Sequence, residues 1–429
     1  MKSLLKSNNP VHISSVKEKK PQNFILSILL ITLVIDIMGV GLVLPLVPDL
    51  VLNNNSHIFF DASVNQDTRT IYYALIMGFW PLGIFIGSTL LGRLSDIWGR
   101  KKLIYFSIMG VALSYFLSVY AIYLGNINLF IFSRLTLGFM GGVNGLVRAA
   151  IADIAHSKEL KAKYIGYATL AILTGIIIGP SLSTLIGQLS GNDVLMKVVA
   201  PFLIAGIISL LSFITIFMLY QDTFQVLKKQ KQKLNFFDIL FSFRVLFIDK
   251  RIYLLVIAFL LLRMGDGLVL ESLPLILSEK FHVSQTIIGI VFIIQSAGLI
   301  ISQLKILPLL KNISLKKITS ISSLVIPILF AVLCLFPSVP LIFIIIFVYG
   351  IFGLLLNVNL VVWLSNKVND DEQGMIMGGT GSLVGLSMAV DSVLLTPLTN
   401  INMLGPIYIV IIFYLLSCFI IFNLKKENR

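Results

Sequence analysis

The sequence predicts an all-α polytopic membrane protein of twelve spanning helices in two sets of six, and three observations carry that prediction. Only 12% of the 429 residues are charged and 57% are apolar, against about 25% charged in an ordinary soluble domain. The mean hydropathy is +0.97, so the surface as well as the interior has to be apolar, and its solvent is lipid. Apolar runs of spanning length, roughly 20 residues each, recur along the whole chain with short connections.

The elements follow in order. A basic tail (1–23) resembles a signal n-region, but the apolar stretch behind it is too long for a cleaved h-region and reads as an uncleaved first span. Runs at 24–48, 71–91, 103–124, 129–151, 164–188 and 198–220 form a first six-helix bundle, 24–220. A polar segment at 221–250 carries Lys228, Lys229, Lys231, Lys233 and Arg244 and separates the halves. Runs at 251–277, 287–307, 318–336, 340–364, 375–397 and 405–424 form a second bundle, 251–424, before a short tail at 425–429. An offset of 215 lays Gly83 on Gly298 and Lys101, Lys102 on Lys316, Lys317, as expected of paired halves.

The formal charge of +13 reads as topology. Basic residues gather in the tails and the connections of one side, while the other side holds Arg69, Lys197 and Lys280. The positive-inside rule then puts both termini in the cytoplasm, and no nucleic-acid partner is expected. Cys334 and Cys418 lie in apolar runs, which excludes a disulfide framework or thiolate metal centre; no metal or other cofactor is expected.

No glycine-rich phosphate loop ending in Lys-Ser or Lys-Thr occurs, so ATP is not the direct driver. No nucleophile with a nearby histidine lies in a span, so the chain is not expected to be an enzyme. All four histidines (His12, His57, His156, His282) fall in the tail or loops. Proton traffic through the membrane would therefore use Asp36, Asp266, Glu271 and Asp391, since a charge at membrane depth is costly and functional by default.

Four strings carry further chemistry. The first span reads D-I-M-G-V-G-L-V-L-P-L-V-P from Asp36, and Asp36 lies roughly 18 Å deep at 1.5 Å per residue. Residues 92–102 read G-R-L-S-D-I-W-G-R-K-K. There Gly92 and Gly99 permit tight turns and close helix approach, and Asp96 can join Arg93, Arg100, Lys101 and Lys102 in a charge-assisted network. Arg134 opens R-L-T-L-G-F-M-G-G in the fourth span at about the depth of Asp36. The fifth span reads G-I-I-I-G-P-S-L-S over 175–183, a close-packing, bendable stretch. In the seventh span Arg263, Asp266 and Glu271 share one face within roughly 140°, with Arg263 and Asp266 spaced to pair. Asp391 stands in the eleventh span, and Arg148 and Asp153 at the inner end of the fourth read as interface anchors.

The 92–102 string resembles the signature of the major facilitator superfamily. In that family the loop's acid and arginine latch the two halves, which implies that role for Asp96 and Arg100, framed by Gly92 and Gly99. The matching region 302–317 keeps lysines but lacks the acid, so one latch is implied. The first-span string resembles that of the twelve-helix drug–proton antiporters, tetracycline-efflux proteins included, where the aspartate is a substrate or proton residue. An arginine followed by glycines four and eight residues later is also a family feature, and implies that Arg134 interacts with the proton site. The fifth-span string resembles the antiporter motif, with Gly175, Gly179 and Pro180 in place and Ser183 and Thr184 where paired glycines are usual.

The resemblance implies two bundles rocking about a central site. It implies proton-driven export of a small organic molecule by a monomer among the lipids of the plasma membrane, the bacterial inner membrane in particular. Protonation of Asp36 would loosen its hold on Arg134. An importer on the same fold is the first alternative; a non-transporting receptor or scaffold is the second.

Overall fold

The computed structural model describes residues 21–53, 57–61, 63–155, 157–190, 193–220, 247, 249, 252–310, 312–368 and 373–424. The basic tail, nearly all of the 221–250 segment and the 425–429 tail lie outside these residues. The described residues are helical, with twelve helices long and apolar enough to cross a membrane. In order, spans 1 to 6 are Gln22–Val51, Gln66–Gly92, Arg100–Tyr123, Ile127–Asp153, Lys163–Leu189 and Leu195–Leu219. Spans 7 to 12 are Tyr253–Glu279, Gln285–Leu309, Leu315–Leu335, Val339–Asn366, Gly379–Ile401 and Gly405–Asn423.

Helices outrun the apolar runs because polar caps add turns beyond the hydrocarbon. The helix of span 2 starts at Gln66 because the Thr68 amide donates to Asn65 Oδ1 at 2.9 Å; Asn126 and Asp193 cap spans 4 and 6 in the same way. Each such cap satisfies an amide that would otherwise lack a partner. At the other end of span 2, Gly99 takes φ 92°, a left-handed turn that glycine makes without strain and that starts span 3 at once. Gly92 has no such role, since among the described residues nothing lies within 4 Å of where its Cβ would stand. The close approach expected there is not made.

The two halves repeat one another pair for pair. Span 1 packs on 5, 2 on 4 and 3 on 6; likewise 7 packs on 11, 8 on 10 and 9 on 12. The offset glycines occupy matching contacts. A Cβ at Gly83 would stand 2.3 Å from Leu135 O on span 4, and one at Gly298 would stand 2.3 Å from Phe347 O on span 10. Backbones touch there because lipid offers no hydrophobic drive between helices, so small residues provide packing instead. Lys316 serves the second half by donating to the carbonyls of Phe422 (2.9 Å) and Leu424, which caps span 12 with a cation.

Spans 2 and 11, and spans 5 and 8, form the seam between the halves. Gln66 Nε2 donates to Glu279 Oε2 (2.6 Å), Tyr73 Oη to Glu271 O (2.7 Å) and Thr396 Oγ1 to Thr70 O (3.5 Å). Leu275 and Leu395 of the second half also join an apolar core made otherwise of the first half. This end of the molecule is closed. Arg69, counted above as a basic residue of one face, is fully buried there. It donates to the carbonyls of Val51, Asn53, Asp61 and Val64 and lies over the Phe60 ring, so it organises the connection between spans 1 and 2.

Candidate functional site

Two groups of ionisable side chains lie inside the bundle, one in each half. In the first half, Asp36 is partly buried on span 1 and makes no hydrogen bond or ion pair with the other described residues. Arg134 on span 4 is 4% exposed. Its Nη2 donates to Ser118 Oγ, itself in contact with Ser133 Oγ at 2.9 Å. Its guanidinium also lies 5.0 Å from the Phe130 ring centroid and 5.1 Å from that of Phe202.

The expected hold of Asp36 on Arg134 is therefore not made in this closed form. Equal depth is readable from helix rise, but lateral direction is not, and span 3 intervenes. Its Tyr115 interacts electrostatically with both Arg134 and Asp36. The Tyr115 hydroxyl is buried without a hydrogen-bond partner and lies 2.6 Å from where a Cβ on Gly39 would stand. Any side chain at position 39 would displace it. Cation–π contacts and the Ser118 bond stabilise the desolvated guanidinium in place of a carboxylate.

The fifth-span string fixes this stretch of span 1. A Cβ at Gly175 would stand 2.7 Å from Val34 O, and one at Gly179 would stand 2.6 Å from Met38 O. Pro180 Cδ would stand 2.8 Å from a Cβ on Gly41. Gly175, Gly179 and Pro180 thus press on the turns that flank Asp36. Gly138 and Gly142, four and eight residues beyond Arg134, seat span 4 against Trp80 and the Gly87–Ser88 turn of span 2.

In the second half, Arg263 Nη1 donates to Asp266 Oδ2 at 2.8 Å, the i,i+3 pair expected from spacing. Asp266 Oδ1 accepts from Tyr349 Oη (2.7 Å) on span 10 and from Tyr414 Oη on span 12. Neither tyrosine was singled out by sequence. Glu271 and Asp391 are both fully buried. Glu271 Oε2 accepts from Ser392 Oγ at 2.7 Å, whereas Glu271 Oε1 and both Asp391 carboxylate oxygens have no hydrogen-bond partner. Asp391 interacts electrostatically with Glu271, Arg263 and Asp266.

Each arginine lines a narrow cavity. Arg134 borders one of about 30 Å³ with Trp80, Met77 and Val40, and Arg263 borders one of about 10 Å³ with Asp266, Asn357 and Phe259. Such spaces hold about a water molecule, in keeping with a closed form. Among the described residues no cluster of three or more His, Cys, Asp or Glu side chains fit for a metal occurs. His57 and His282 lie in left-handed loop positions, with φ 43° and 50°; His12 and His156 lie outside the described residues.

At the Gly99 turn, Arg100 Nε donates to Asp153 Oδ2 (2.7 Å) and Nη1 to Ser95 Oγ (2.9 Å). Both bonds stay within the first half, tying spans 2 and 3 to the end of span 4 rather than one half to the other. The Asp96 side chain lies outside the described residues. Asp153, read as an interface anchor, is instead the partner of Arg100.

The family model of the Major Facilitator Superfamily matches residues 29–276 and 255–429. The chain is 29% identical over 199 residues to the class H tetracycline resistance protein of Pasteurella multocida, covering 46% of this chain and 44% of that protein. It is 30% identical over 216 residues to multidrug resistance protein 2 of Bacillus subtilis (strain 168), covering 49% and 47%. These alignments span about half the length of the curated relatives. The fold resembles the human organic anion transporter MFSD10 (TETRAN), with TM-score 0.73, 19% identity and coverage of 94% of this chain and 100% of that one. It also resembles the inward-open xylose transporter XylE from E. coli, with TM-score 0.71, 16% identity and coverage of 94% and 97%. Two repeated six-helix halves, buried ionisable groups in each, and a family match along nearly the whole chain lead to one conclusion: the chain belongs to the Major Facilitator Superfamily, a family of transporters.

Proposed function

We propose that this transporter is a proton-coupled antiporter that exports a small organic molecule, acting as a monomer in a bacterial inner membrane with both termini in the cytoplasm. The observation that supports it most is the packing of Gly175, Gly179 and Pro180 onto the turns around Asp36. It joins the antiporter-like string of span 5 to the carboxylate of span 1. The half-length similarity to tetracycline and multidrug resistance proteins supports the same direction of transport.

By the placement of basic residues the Gln66–Glu279 end faces outside, and the Gly99 end, with Arg100, Lys101 and Lys102, faces the cytoplasm. Protonation of Asp36 removes its charge and its attraction for the Tyr115–Arg134 group, and shifts the balance between inward-open and outward-open forms. Cargo and proton then compete for the same carboxylates.

The test is proton movement in proteoliposomes under an imposed pH gradient, with tetracycline and the lipophilic cation ethidium as probes. Proton flow opposite to the probe, reduced at least about tenfold in Asp36→Asn, is the expected result. Flow in the same direction as the probe would make the protein an importer, and full-rate coupling in Asp36→Asn would remove Asp36 from the mechanism.

A further inference from the structure

In each half the first helix carries a glycine against which the fifth helix of that half packs. In the first half the space over Gly41 is filled by Pro180, an apolar ring. In the second half the space over Gly267 is filled by the Asp391 carboxylate, whose Oδ2 lies 2.2 Å from where a Cβ would stand. A proline or methyl group would fill the second space at far lower desolvation cost, so packing does not account for an acid there.

Gly267 lies four residues from both Arg263 and Glu271, one turn or about 6 Å in each direction along span 7. Asp391 therefore sits on a stripe with the arginine on one side and Glu271 on the other. The guanidinium is already engaged by Asp266. Three carboxylate oxygens remain buried and unpartnered, Glu271 Oε1 and Asp391 Oδ1 and Oδ2. Two neighbouring carboxylates in a dry interior do not both stay ionised.

The pair stands directly behind the seam. Ser392, which donates to Glu271, would have its Cβ 2.7 Å from a Cβ on Gly78 of span 2, and Tyr73 of span 2 donates to the Glu271 carbonyl. Other titratable groups facing span 7 are Tyr349 of span 10 and Tyr414 of span 12, both engaged by Asp266. The helix Gln285–Ile301 of span 8 carries no ionisable residue, and Asp49, at the end of span 1, interacts with Lys197 of span 6.

We propose that Glu271 and Asp391 form the proton-binding site that operates the external closure: a proton held by the pair keeps spans 2 and 11 together, and its loss drives them apart. This deepens the antiport reading above, on which the assignment of the outer side rests. Protonation from outside closes the seam; release toward the cytoplasm leaves two like charges whose hydration requires the seam to open. That order of events is the one an exporter driven by inward protons requires.

The full-length protein, with Cys334 and Cys418 replaced by serine, is spin-labelled at Asp67→Cys and Lys280→Cys, both exposed at the closed end. It is placed in lipid nanodiscs, and the distance between labels is measured by pulsed electron paramagnetic resonance from acid to alkaline pH. The expected result is a short distance at acid pH that lengthens as pH rises. Glu271→Gln with Asp391→Asn loses the lengthening, and Glu271→Asp with Asp391→Glu, which keeps both acids, retains it. An unchanging distance in the wild type, or the same lengthening in the doubly neutral variant, overturns the proposal. Lengthening that depends on the pair, in a protein for which neither tetracycline nor ethidium moves protons, keeps the closure and removes the export reading.

Discussion

Asp266 holds three donors, and their separate removal distinguishes a hydrogen bond from a charge. Tyr349→Phe and Tyr414→Phe each remove one neutral donor from Oδ1, and each is expected to lower stability by about 0.5–1.5 kcal/mol. Asp266→Ala leaves the Arg263 guanidinium without its anion and is expected to cost about 3 kcal/mol or more. Melting of the three variants in detergent checks the order. At Arg134, lysine keeps the positive charge but not the planar group that lies against two rings and reaches Ser118. Arg134→Lys is therefore expected to fold and yet to transport at least about tenfold more slowly; vesicle transport beside a melting curve separates the two. The Arg263–Asp266 pair was legible in sequence because its members lie one turn apart on a single helix. Tyr349 and Tyr414, 83 and 148 positions from Asp266, carry no local signal, because which faces of three helices meet is decided by packing. Asp36 and Arg134 failed for the same reason: depth follows from residue count, azimuth does not, and Tyr115 occupies the space between them.

For whole helices, hydropathy located all twelve spans because lipid imposes both length and composition. It misplaced the ends, where caps such as Asn65 extend the helix into polar sequence. Glycine strings were legible as packing surfaces but not as to partner: those after Arg134 meet span 2, and those of span 5 meet span 1. The repeat gives a sharp test. Gly83→Ala and Gly298→Ala each drive a methyl group to 2.3 Å from a backbone carbonyl oxygen of a neighbouring span. Both are expected to lose about 1–3 kcal/mol, by the same mechanism in each half. Gly187 has nothing within 4 Å among the described residues, so Gly187→Ala is expected to be neutral or slightly stabilising, by up to about 1 kcal/mol of helix propensity. Melting temperatures of the three variants in one detergent decide it.

In the whole molecule, the two halves meet through polar contacts confined to one end and through small residues along the rest of the seam. A thiol-reactive cross-linker joining Gln66→Cys to Glu279→Cys is expected to hold that end shut and stop transport, with recovery on reduction if the linker is cleavable; a vesicle assay with and without reductant checks it. Gly78 faces Ser392, Gly385 faces Pro81 and Phe85, and Gly289 faces Thr184, so the surface that parts in each cycle carries few long side chains to disengage. Interfaces built on large interlocking anchors lose several kcal/mol when one anchor is withdrawn, whereas one pH unit acting on one carboxyl supplies about 1.4 kcal/mol. A shallow, glycine-lined joint keeps the work of separation within reach of a single proton, and because no rotamer has to be found again on closing, the joint can be remade on every turnover with little friction.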